Sequence, residues 1–451
     1  MGSRGQDTTI PDTVLEGPSG AASTLAIRWV YPSDDGLLTR LEPGTTTLGR
    51  DPACTGALPS ASVSRRHAEI RWEAGGTPLL LDLNSTNGVF VNGETVKNAN
   101  LRPRDVIRLG EWVGILVSLA DSGSEPWSFR ELTAGYWAGP SLQAALAPAR
   151  LVAASDLPMI IQGETGAGKE GAARAIHAWS GRSGAFVALN CAALPEALAE
   201  AELFGYRKGA FTGAERAAMG YLRAAQGGTL FLDEIAELSL PIQAKLLRAV
   251  EQHELCPLGE STPVAIDVRL LAAAQSPLGL AVAEKRFRGD LLARLSGLTV
   301  VIPPLRHRSE EIPALFRKVV EQCGRLPAPR LDSTLVERLC THAWPFNVRE
   351  LTLLARKLLA LHPDAAMLDH TMLADGPAAA PAMAESRRTT QEMPAPDPSM
   401  FLAALRAQNG NVKATAEILG ISRGRAYRMM DKLDALDLAA LRRGEGPPSS
   451  S

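Results

Sequence analysis

A glycine-rich stretch between a predicted strand and a predicted helix constrains this chain more than any other feature. It reads Gly163-Glu-Thr-Gly-Ala-Gly-Lys169-Glu170, after the apolar run 157–161 and before a helical segment that begins at Gly171. The glycines let backbone N–H groups converge on phosphate oxygens, the helix N-terminus adds partial positive charge, and Lys169 reaches the outer phosphates. The stretch therefore predicts a phosphate-binding loop, although Glu170 stands where a magnesium-binding Ser or Thr is usual.

Two adjacent carboxylates end a second apolar stretch, Gly227-Gly-Thr-Leu-Phe-Leu-Asp233-Glu234. This pattern places both at the carboxyl end of a parallel strand, where α/β sheets bind their ligands. We expect Asp233 to hold Mg²⁺ and Glu234 to polarise the attacking water. Together the two stretches predict a core that binds and hydrolyses ATP.

A third motif, Gly209-Ala-Phe-Thr-Gly-Ala214, follows Glu202-Leu-Phe-Gly205. With this motif the chain resembles the bacterial enhancer-binding proteins, the AAA+ activators of sigma-54 RNA polymerase. Small residues around one exposed aromatic ring and one hydroxyl suit a mobile contact loop. The resemblance covers about residues 131–370 and implies that sigma-54 is contacted by Gly209, Ala210, Phe211, Thr212, Gly213 and Ala214.

The resemblance also assigns residues around the nucleotide. It implies that the loop residues Gly163, Glu164, Thr165, Gly166, Ala167, Gly168, Lys169 and Glu170 bind ATP, with Arg349 as a further nucleotide contact. Asn190 would be the switch that ties the position of the catalytic Glu234 to the nucleotide state. The apolar stretch 265–274 predicts another buried strand. Two departures affect sensing: this strand ends in Ala274-Gln275 where Thr-Asn is usual, and Phe346 stands where glycine is usual.

Two arginines six residues apart, Arg288 and Arg294, match the family's arginine fingers, which project into the ATP site of a neighbouring subunit. A guanidinium supplied in this way stabilises transition-state charge. A monomer would lack half of each active site, so the resemblance implies a homo-oligomer, a hexamer in this family.

An earlier segment, 23–120, reads as short strands separated by Gly, Pro and Asn turns, which predicts a small β-sandwich. Its motifs are Gly49-Arg50, Ser64-Arg-Arg-His67 and Asn84-Ser-Thr-Asn-Gly88. This set resembles a forkhead-associated (FHA) domain, a phosphothreonine reader. The resemblance implies that phosphopeptide is bound by Arg50, Ser64, Arg65, Thr86 and Asn87, with His67 bracing the loop. Guanidinium, hydroxyl and amide groups are suitable partners for phosphate and peptide backbone.

The C-terminal part returns to helical patterning. Residues 398–443 carry eight Lys/Arg against four Asp/Glu, a local charge of 8 − 4 = +4 in a chain of net charge −2. A helix, a tight turn at Gly420 with Ser422 as N-cap, and a second helix predict a helix-turn-helix resembling the Fis-type module of these activators. The expected DNA-binding residues are Ser422, Arg423, Arg425, Tyr427 and Arg428.

Composition fits a cytoplasmic, globular chain of roughly three domains. The 451 residues show no export signal and no membrane-length apolar run, and the five cysteines show no paired spacing, so we expect buried free thiols. The predicted fold is multidomain, an FHA β-sandwich, an α/β P-loop AAA+ ATPase with a helical lid, and an all-α helix-turn-helix. The predicted segments are a disordered terminus 1–22, FHA 23–120, linker 121–130, α/β subdomain 131–305, lid 306–373, linker 374–398, helix-turn-helix 399–443 and a disordered tail 444–451.

The sequence therefore predicts a sigma-54-dependent transcription activator. Its expected partners are sigma-54 RNA polymerase, enhancer DNA and a phosphothreonine protein or Ser/Thr kinase, and its cofactors are ATP and Mg²⁺. Two alternatives stay open. One is an AAA+ remodeller of another protein, and the other is a DNA-bound phosphoprotein-binding scaffold with a weak ATPase.

Overall fold

The computed structural model describes residues 25–32, 35–119, 127–211, 214–324 and 327–373, and the single residues Leu405 and Thr415. The chain forms two compact units, 1–379 and 380–451. Leu405 and Thr415, the described residues of the second unit, are helical and buried. Outside the described residues lie the predicted segments 1–22, 374–398 and 444–451, most of the linker 121–130, and the helix-turn-helix 399–443 apart from Leu405 and Thr415, with all its predicted DNA-binding residues.

The N-terminal part of the first unit is a sandwich of two sheets. One has the order β2-β1-β11-β10-β7-β8 and the other the order β4-β3-β5-β6-β9. All pairings are antiparallel except β3–β4. The strands are β1 (Leu25–Tyr31), β2 (Leu38–Leu41), β3 (Gly44–Gly49), β4 (Gly56–Ala57), β5 (Ala68–Trp72), β6 (Leu79–Asp82), β7 (Val89–Val91), β8 (Glu94–Val96), β9 (Asn98–Asn100), β10 (Val106–Leu109) and β11 (Trp112–Ser118).

The first of these sheets is buried on both faces. Alternate residues of β1, β10 and β11 point into the sandwich, among them Ile27, Trp29, Ile107 and Leu116. The residues between them point the other way and join a second apolar cluster, which contains Ala26, Val30, Val106, Val113, Ile115 and Val117. Successive side chains of a strand lie on opposite faces, so a strand that is apolar throughout needs cover on both sides.

A hairpin of β12 (Arg130–Thr133) and β13 (Tyr136–Ala138) connects the sandwich to a five-stranded parallel sheet of order β15-β16-β19-β14-β20. Helices cover both faces of this sheet. The elements are α1 (Pro140–Leu151), β14 (Met159–Gln162), α2 (Lys169–Ser180), β15 (Phe186–Asn190), α3 (Glu196–Phe204), α4 (Tyr221–Ala224), β16 (Thr229–Asp233), α5 (Leu240–Gln252), β17 (Glu254–Leu255), β18 (Val264–Ala265), β19 (Arg269–Ala274), α6 (Leu278–Ala283), α7 (Gly289–Leu295) and β20 (Leu298–Val301).

The lid follows as α8 (Ile312–Gln322), β21 (Arg330–Leu331), α9 (Ser333–Thr341), α10 (Asn347–Leu361) and β22 (Met367–Leu368). Short β21 and β22 pair in parallel. The apolar faces of α8, α9 and α10 form one cluster, which includes Phe316, Leu335, Leu339 and Leu351. This is the cluster that also holds the outer face of the sandwich, because α9 lies on β10 and β11 and α8 lies on β1.

Two expectations from the sequence are wrong. The strand predicted over 265–274 is divided, because the Ile266 amide donates to the His253 carbonyl and the Asp267 carbonyl accepts from Gly227, which leaves β19 to begin at Arg269. The five cysteines are free, but Cys256 and Cys323 are exposed rather than buried. Within the described ranges, no helix combines the length and the hydropathy that a membrane span requires.

Candidate functional site

The predicted phosphate-binding loop lies between β14 and α2, at the carboxyl edge of the parallel sheet. The Gly163 amide donates to the carbonyl of Ala274 at the end of β19, at 3.1 Å. Gly166 and Gly168 have φ of +74° and +105°, which L-residues other than glycine rarely adopt. The glycines thus form a turn that leads directly into the N-terminus of α2, and backbone N–H groups at a helix N-terminus favour anions.

Tyr136 on β13 supports this loop, and sequence reasoning did not find it. A Cβ at Gly171 would lie 2.3 Å from the Tyr136 ring, so the glycine allows the ring to pack against α2. Burial raises the pKa of the Tyr136 phenol. Its oxygen has no hydrogen-bond partner in the described part of the chain.

Lys169 is the first residue of α2 and is only 6% exposed. Its Nζ donates to the Gly163 carbonyl at 2.9 Å and lies 3.6 Å from a Glu234 carboxylate oxygen. Glu170, which stands where a hydroxyl is usual, pairs with Arg174 one turn later at 2.7 Å. Lys169 is thus held at the loop with a carboxylate beside it.

Asp233 ends β16, and Glu234 follows with a left-handed backbone, φ +52°. Asn190 ends the neighbouring β15 and lies directly opposite Asp233 in the parallel register. The Asn190 amide oxygen accepts from the Ala192 amide at 3.0 Å and caps a short turn. Asp233, Glu234 and Asn190 thus lie at one edge of the sheet. The Asn190 side chain makes its hydrogen bond within the short turn that follows it.

The lid is fastened to the phosphate-binding loop through Glu164. Arg306 donates to both Glu164 carboxylate oxygens, at 2.8 and 2.5 Å. Asn347, at the start of α10, donates to Glu164 and to the Thr165 carbonyl, both at 3.1 Å. The hydrogen bond from Arg306 is the main reason why the pKa of Glu164 lies below its ordinary value. The sequence gave no signal for these partners, which are more than 140 residues away along the chain.

A cavity of about 600 Å³ opens between the phosphate-binding loop and α10. Its walls carry the polar residues Thr165, Lys169, Glu170, Asp233, Glu234, Arg349, Thr352 and Arg356. Arg349, Thr352 and Arg356 are spaced by three and four residues, so they share one face of α10. Sequence reasoning missed Arg356, although its spacing from Arg349 was a usable signal.

Phe346 is the N-cap residue of α10. Its amide donates to the Glu350 carboxylate at 3.0 Å, and the following Val348 amide donates to the Gly166 carbonyl at 3.0 Å. The Phe346 ring is 58% exposed. Gln275, which follows β19, is also exposed.

Arg288 and Arg294 lie apart from the described lining of this cavity. Arg288 precedes α7 and pairs with Asp290 at 2.7 Å, with both side chains 40–49% exposed. Arg294, on α7, lines a different cavity, which it shares with Arg182 and Asp267. Neither arginine is therefore among the described residues that line the cavity beside the phosphate-binding loop.

The motif 209–214 closes on itself at its base. The Gly209 amide donates to the Ala214 carbonyl at 2.9 Å, and the Ala214 amide donates to the Phe211 carbonyl at 3.0 Å. Phe211 is 39% exposed, and its ring lies 5.0 Å from that of Tyr206. Thr212 and Gly213 are outside the described residues. The motif thus presents an aromatic side chain at the surface.

The predicted phosphopeptide residues come together at one end of the sandwich. The Arg50 amide donates to the Ser64 carbonyl at 3.0 Å, and the Thr86 amide donates to Ser64 Oγ at 3.2 Å. Asn87 donates from its side chain to the Ser62 carbonyl at 2.7 Å. Arg50, Arg65, Thr86 and Asn87 are exposed. The surface therefore joins two guanidinium groups to hydroxyl and amide groups.

Buried His67 frames this surface. Its Nδ1 accepts from the Ser64 amide at 3.1 Å, and its Nε2 lies 3.0 Å from the Gly88 carbonyl. An acceptor at Nδ1 and a carbonyl at Nε2 require the neutral ring with its proton on Nε2. Burial is the main cause that lowers the pKa of His67. Ser62, which ties Asn87 in place, was not found from the sequence.

Comparison with known families covers most of the chain. The sigma-54 interaction domain matches residues 137–301, and the AAA+ ATPase lid domain matches 306–389. The FHA domain matches 46–110, and the Fis family of bacterial regulatory proteins matches 399–433.

Three relatives illustrate the similarity. The DNA-binding transcriptional regulator NtrC of Bradyrhizobium sp. (strain RP501 Parasponia) is 38% identical over 326 residues, covering 64% of this chain and 67% of the relative. The C4-dicarboxylate transport transcriptional regulatory protein DctD of Rhizobium meliloti (strain 1021) is 41% identical over 288 residues, covering 62% and 60%. The pathogenicity locus probable regulatory protein HrpS of Pseudomonas syringae pv. syringae is 47% identical over 204 residues, covering 45% and 68%.

Proposed function

The chain belongs to the sigma-54-dependent transcriptional regulators, and we propose that it works as an ATP-driven ring that remodels the closed complex of sigma-54 RNA polymerase. Its central domain is an AAA+ ATPase, flanked by an FHA domain and a Fis-type helix-turn-helix. The observation that carries the proposal is the convergence of Lys169, Asp233, Glu234 and Arg349 on one cavity.

Within this cavity each residue has a proposed role. ATP lies with its phosphates on the amides of the loop 163–170, and Lys169 and Arg349 bind the outer phosphate oxygens. Glu234 orients the attacking water and accepts its proton. Asn190, opposite Asp233, exchanges its present contact for one that tracks the γ-phosphate. Gln275 lies where the family's first sensor lies.

Mg²⁺ would be held by Asp233. In the described residues no cluster of three or more His, Cys, Asp or Glu side chains could hold a metal by itself. Magnesium at nucleotide sites needs only one or two carboxylates, because phosphates and water complete its coordination. The donor set therefore fits the ion, which when bound neutralises charge that develops on the phosphates.

The positions of Arg288 and Arg294 support a ring. Arg294 is exposed, the Arg288 side chain is 40% exposed, and both lie apart from the described lining of their own chain's nucleotide cavity. In a closed ring the α7 face of one subunit meets the cavity of the next, so that these guanidinium groups complete the active site there. We propose a hexamer.

The remaining contacts follow the domain order. Phe211 and Thr212 contact sigma-54, and ATP hydrolysis moves their loop. A phosphothreonine protein or a Ser/Thr kinase is bound by the FHA residues Arg50, Ser64, Arg65, Thr86 and Asn87. Enhancer DNA is bound by Ser422, Arg423, Arg425, Tyr427 and Arg428. Because bacterial DNA lies in the cytoplasm, the protein acts there.

Open-complex formation at a sigma-54 promoter tests the proposal. The purified chain is added in excess with polymerase and ATP, so that activation does not depend on its own enhancer. We expect open complexes with the wild type, none with Glu234→Gln, and none with Thr212→Ala even though Thr212→Ala still hydrolyses ATP. The exposed variant Arg40→Ala is the control. Full activation by Thr212→Ala would instead favour remodelling of a different protein.

A further inference from the structure

The outer face of the FHA sheet is unusually apolar for a sandwich. An antiparallel sheet at the surface normally alternates apolar and polar residues, because one of its faces meets water. Here the apolar outward residues are Ala26, Val30, Val106, Val113, Ile115 and Val117, all buried, and the charged Arg28 and Arg108 share this face with them. They share one apolar cluster with the lid residues Leu315, Phe316, Val319, Leu335, Val336 and Leu339. The lid core is therefore built partly from FHA residues.

A charged joint lies at the margin of this cluster. Arg108 on β10 donates to one Glu337 carboxylate oxygen at 2.7 Å, and the Gly93 amide donates to the other at 3.1 Å. The Arg108 and Glu337 side chains are 12% and 5% exposed, and the Arg108 guanidinium lies 3.6 Å from the centre of the Phe90 ring. Both carboxylate oxygens are thus satisfied by FHA groups, so Glu337 on α9 depends on the FHA domain for its burial.

The joint is connected to the phosphopeptide surface by one short strand. Thr86 and Asn87 precede β7, and Gly93 follows it in the turn to β8. A strand of three residues is about 10 Å long. The two ends of β7 therefore belong to two different surfaces, the exposed peptide surface and the contact with Glu337.

The joint is connected on its other side to the nucleotide cavity. Helix α9, which carries Glu337, shares its apolar core with α10. Helix α10 begins at Asn347, which donates to Glu164 and Thr165 of the phosphate-binding loop, and it places Arg349 in the cavity wall. A displacement of α9 would thus be transmitted to groups that contact the nucleotide.

We propose that the FHA sandwich has a second function besides phosphopeptide recognition: it is a structural part of the ATPase lid, joined to it at Glu337. A change in the conformation of the FHA domain, such as one at its phosphopeptide surface, then changes the affinity of the ATPase for nucleotide. The link to nucleotide affinity rests on the proposed ATP site. The structural role rests on the packing alone.

Hydrogen–deuterium exchange on the full chain tests the structural role. We expect Arg108→Ala to accelerate exchange at least about tenfold both in the β7–β8 turn and in α9 and α10, because it leaves Glu337 buried without its cation. The matched control is Arg71→Ala, which removes a 2.7 Å ion pair with Glu69 on the other FHA sheet. Faster exchange confined to the FHA domain in Arg108→Ala would overturn the proposal.

Binding of a fluorescent ADP tests the link to the nucleotide. We expect Arg108→Ala to change the Kd for ADP at least about threefold and Arg71→Ala to leave it unchanged. Should Arg108→Ala fail to fold, Arg108→Lys keeps the charge, loses the stacked guanidinium and is expected to show a smaller change in the same direction. An unchanged Kd in every Arg108 variant, with wild-type binding intact, would refute the link. If the wild type itself bound no ADP, the proposed function would fail, while the exchange result would still decide the structural role.

Discussion

The nucleotide cavity is formed by residues that are close in the sequence and by residues that are distant in it. Lys169 and Asp233 come from the loop and the strand end that the sequence identified, whereas Arg306 and Asn347 reach the same loop from the lid. Arg356 extends the cationic wall two turns beyond Arg349, about 10 Å along α10. The described structure gives Arg356 no ion pair, and it is exposed. Its guanidinium is therefore available to an anionic ligand.

Arg356→Ala should weaken the binding of ATP and ADP by about tenfold to a hundredfold, because a charge-assisted hydrogen bond to a nucleotide contributes roughly 1.5–3 kcal/mol. Turnover at saturating ATP should change little, since Lys169, Glu234 and the trans arginines remain. Isothermal titration with each nucleotide measures the change, and Arg40→Ala, an exposed arginine of the FHA domain, is the control. Unaltered affinities in Arg356→Ala would show that this side chain does not contact the nucleotide.

His67 gives a prediction about pH. Its pKa is lowered in the folded protein, so the unfolded chain binds the proton more readily. The stability that neutral His67 provides is complete above its ordinary pKa, about 6.5, and is lost as the pH falls from there toward the folded pKa. NMR titration of the ring should give an apparent pKa below 6.5. In His67→Gln the amides of Ser64 and Gly88 should shift at neutral pH, and a His67 pKa above 6.5 would contradict this description.

Among the elements, α10 has the most consequential position. Its first residue, Asn347, is fully buried with φ +52°, accepts from the Leu305 amide at 2.7 Å and donates to the phosphate-binding loop. Asparagine tolerates this left-handed conformation better than most residues. The start of α10 is thus fixed to β14's loop and to the beginning of the lid at once.

Asn347→Ala should lower the free energy of unfolding by roughly 1–3 kcal/mol, because buried hydrogen-bonding groups of Leu305 and Thr165 lose their partner. It should also reduce kcat/KM for ATP. Asn347 fixes the start of α10, and Arg349, two residues later, depends on this start for its position in the cavity wall. Thermal melting and steady-state hydrolysis provide the two readouts, with the exposed Asn98→Ala as control. A variant with normal melting and normal hydrolysis would mean that the start of α10 is held by other contacts.

The elements also show what the sequence could predict. The phosphate-binding loop, Asp233 at a strand end and the FHA strands Ala68–Trp72 and Leu79–Asp82 depend on neighbours in the chain, and periodicity and turn residues reveal such neighbours. The contacts that the sequence did not predict join residues that are far apart in the chain. Arg108 meets Glu337 across 229 positions, and no local pattern specifies such a pair. The apolar run of β11, and that of β1 which only Arg28 interrupts, were the available signal, because such runs require cover on both faces.

At the scale of the molecule, the FHA and ATPase domains of the first unit share an apolar core rather than only a linker. The FHA domain is therefore not an independent recognition module, because the ATPase lid packs against it. Each lid side chain that is stripped of its FHA cover loses up to roughly 1.5–3 kcal/mol of burial free energy.

Removal of residues 1–120 should lower the melting temperature of the remaining chain and promote its aggregation, since apolar residues such as Leu335 and Val336 lose their cover. Differential scanning calorimetry and light scattering report these two effects. A truncated chain that melts like the full-length protein would show that the lid folds without the FHA sheet. Point variants at Arg108 are consequently the better means of studying FHA control of ATP hydrolysis.

The central claim is an ATPase whose sites are shared between neighbouring subunits, and a mixing experiment tests it most directly. Glu234→Gln lacks the group that activates water, and Arg294→Ala lacks the arginine offered to the next subunit, so each should show background ATP hydrolysis alone. In mixed rings, some sites combine an intact Glu234 with a neighbour's intact Arg294. We expect hydrolysis to reappear on mixing, to peak near equal amounts and to depend steeply on total protein concentration. Background hydrolysis in every mixture, with an active wild type, would contradict shared sites.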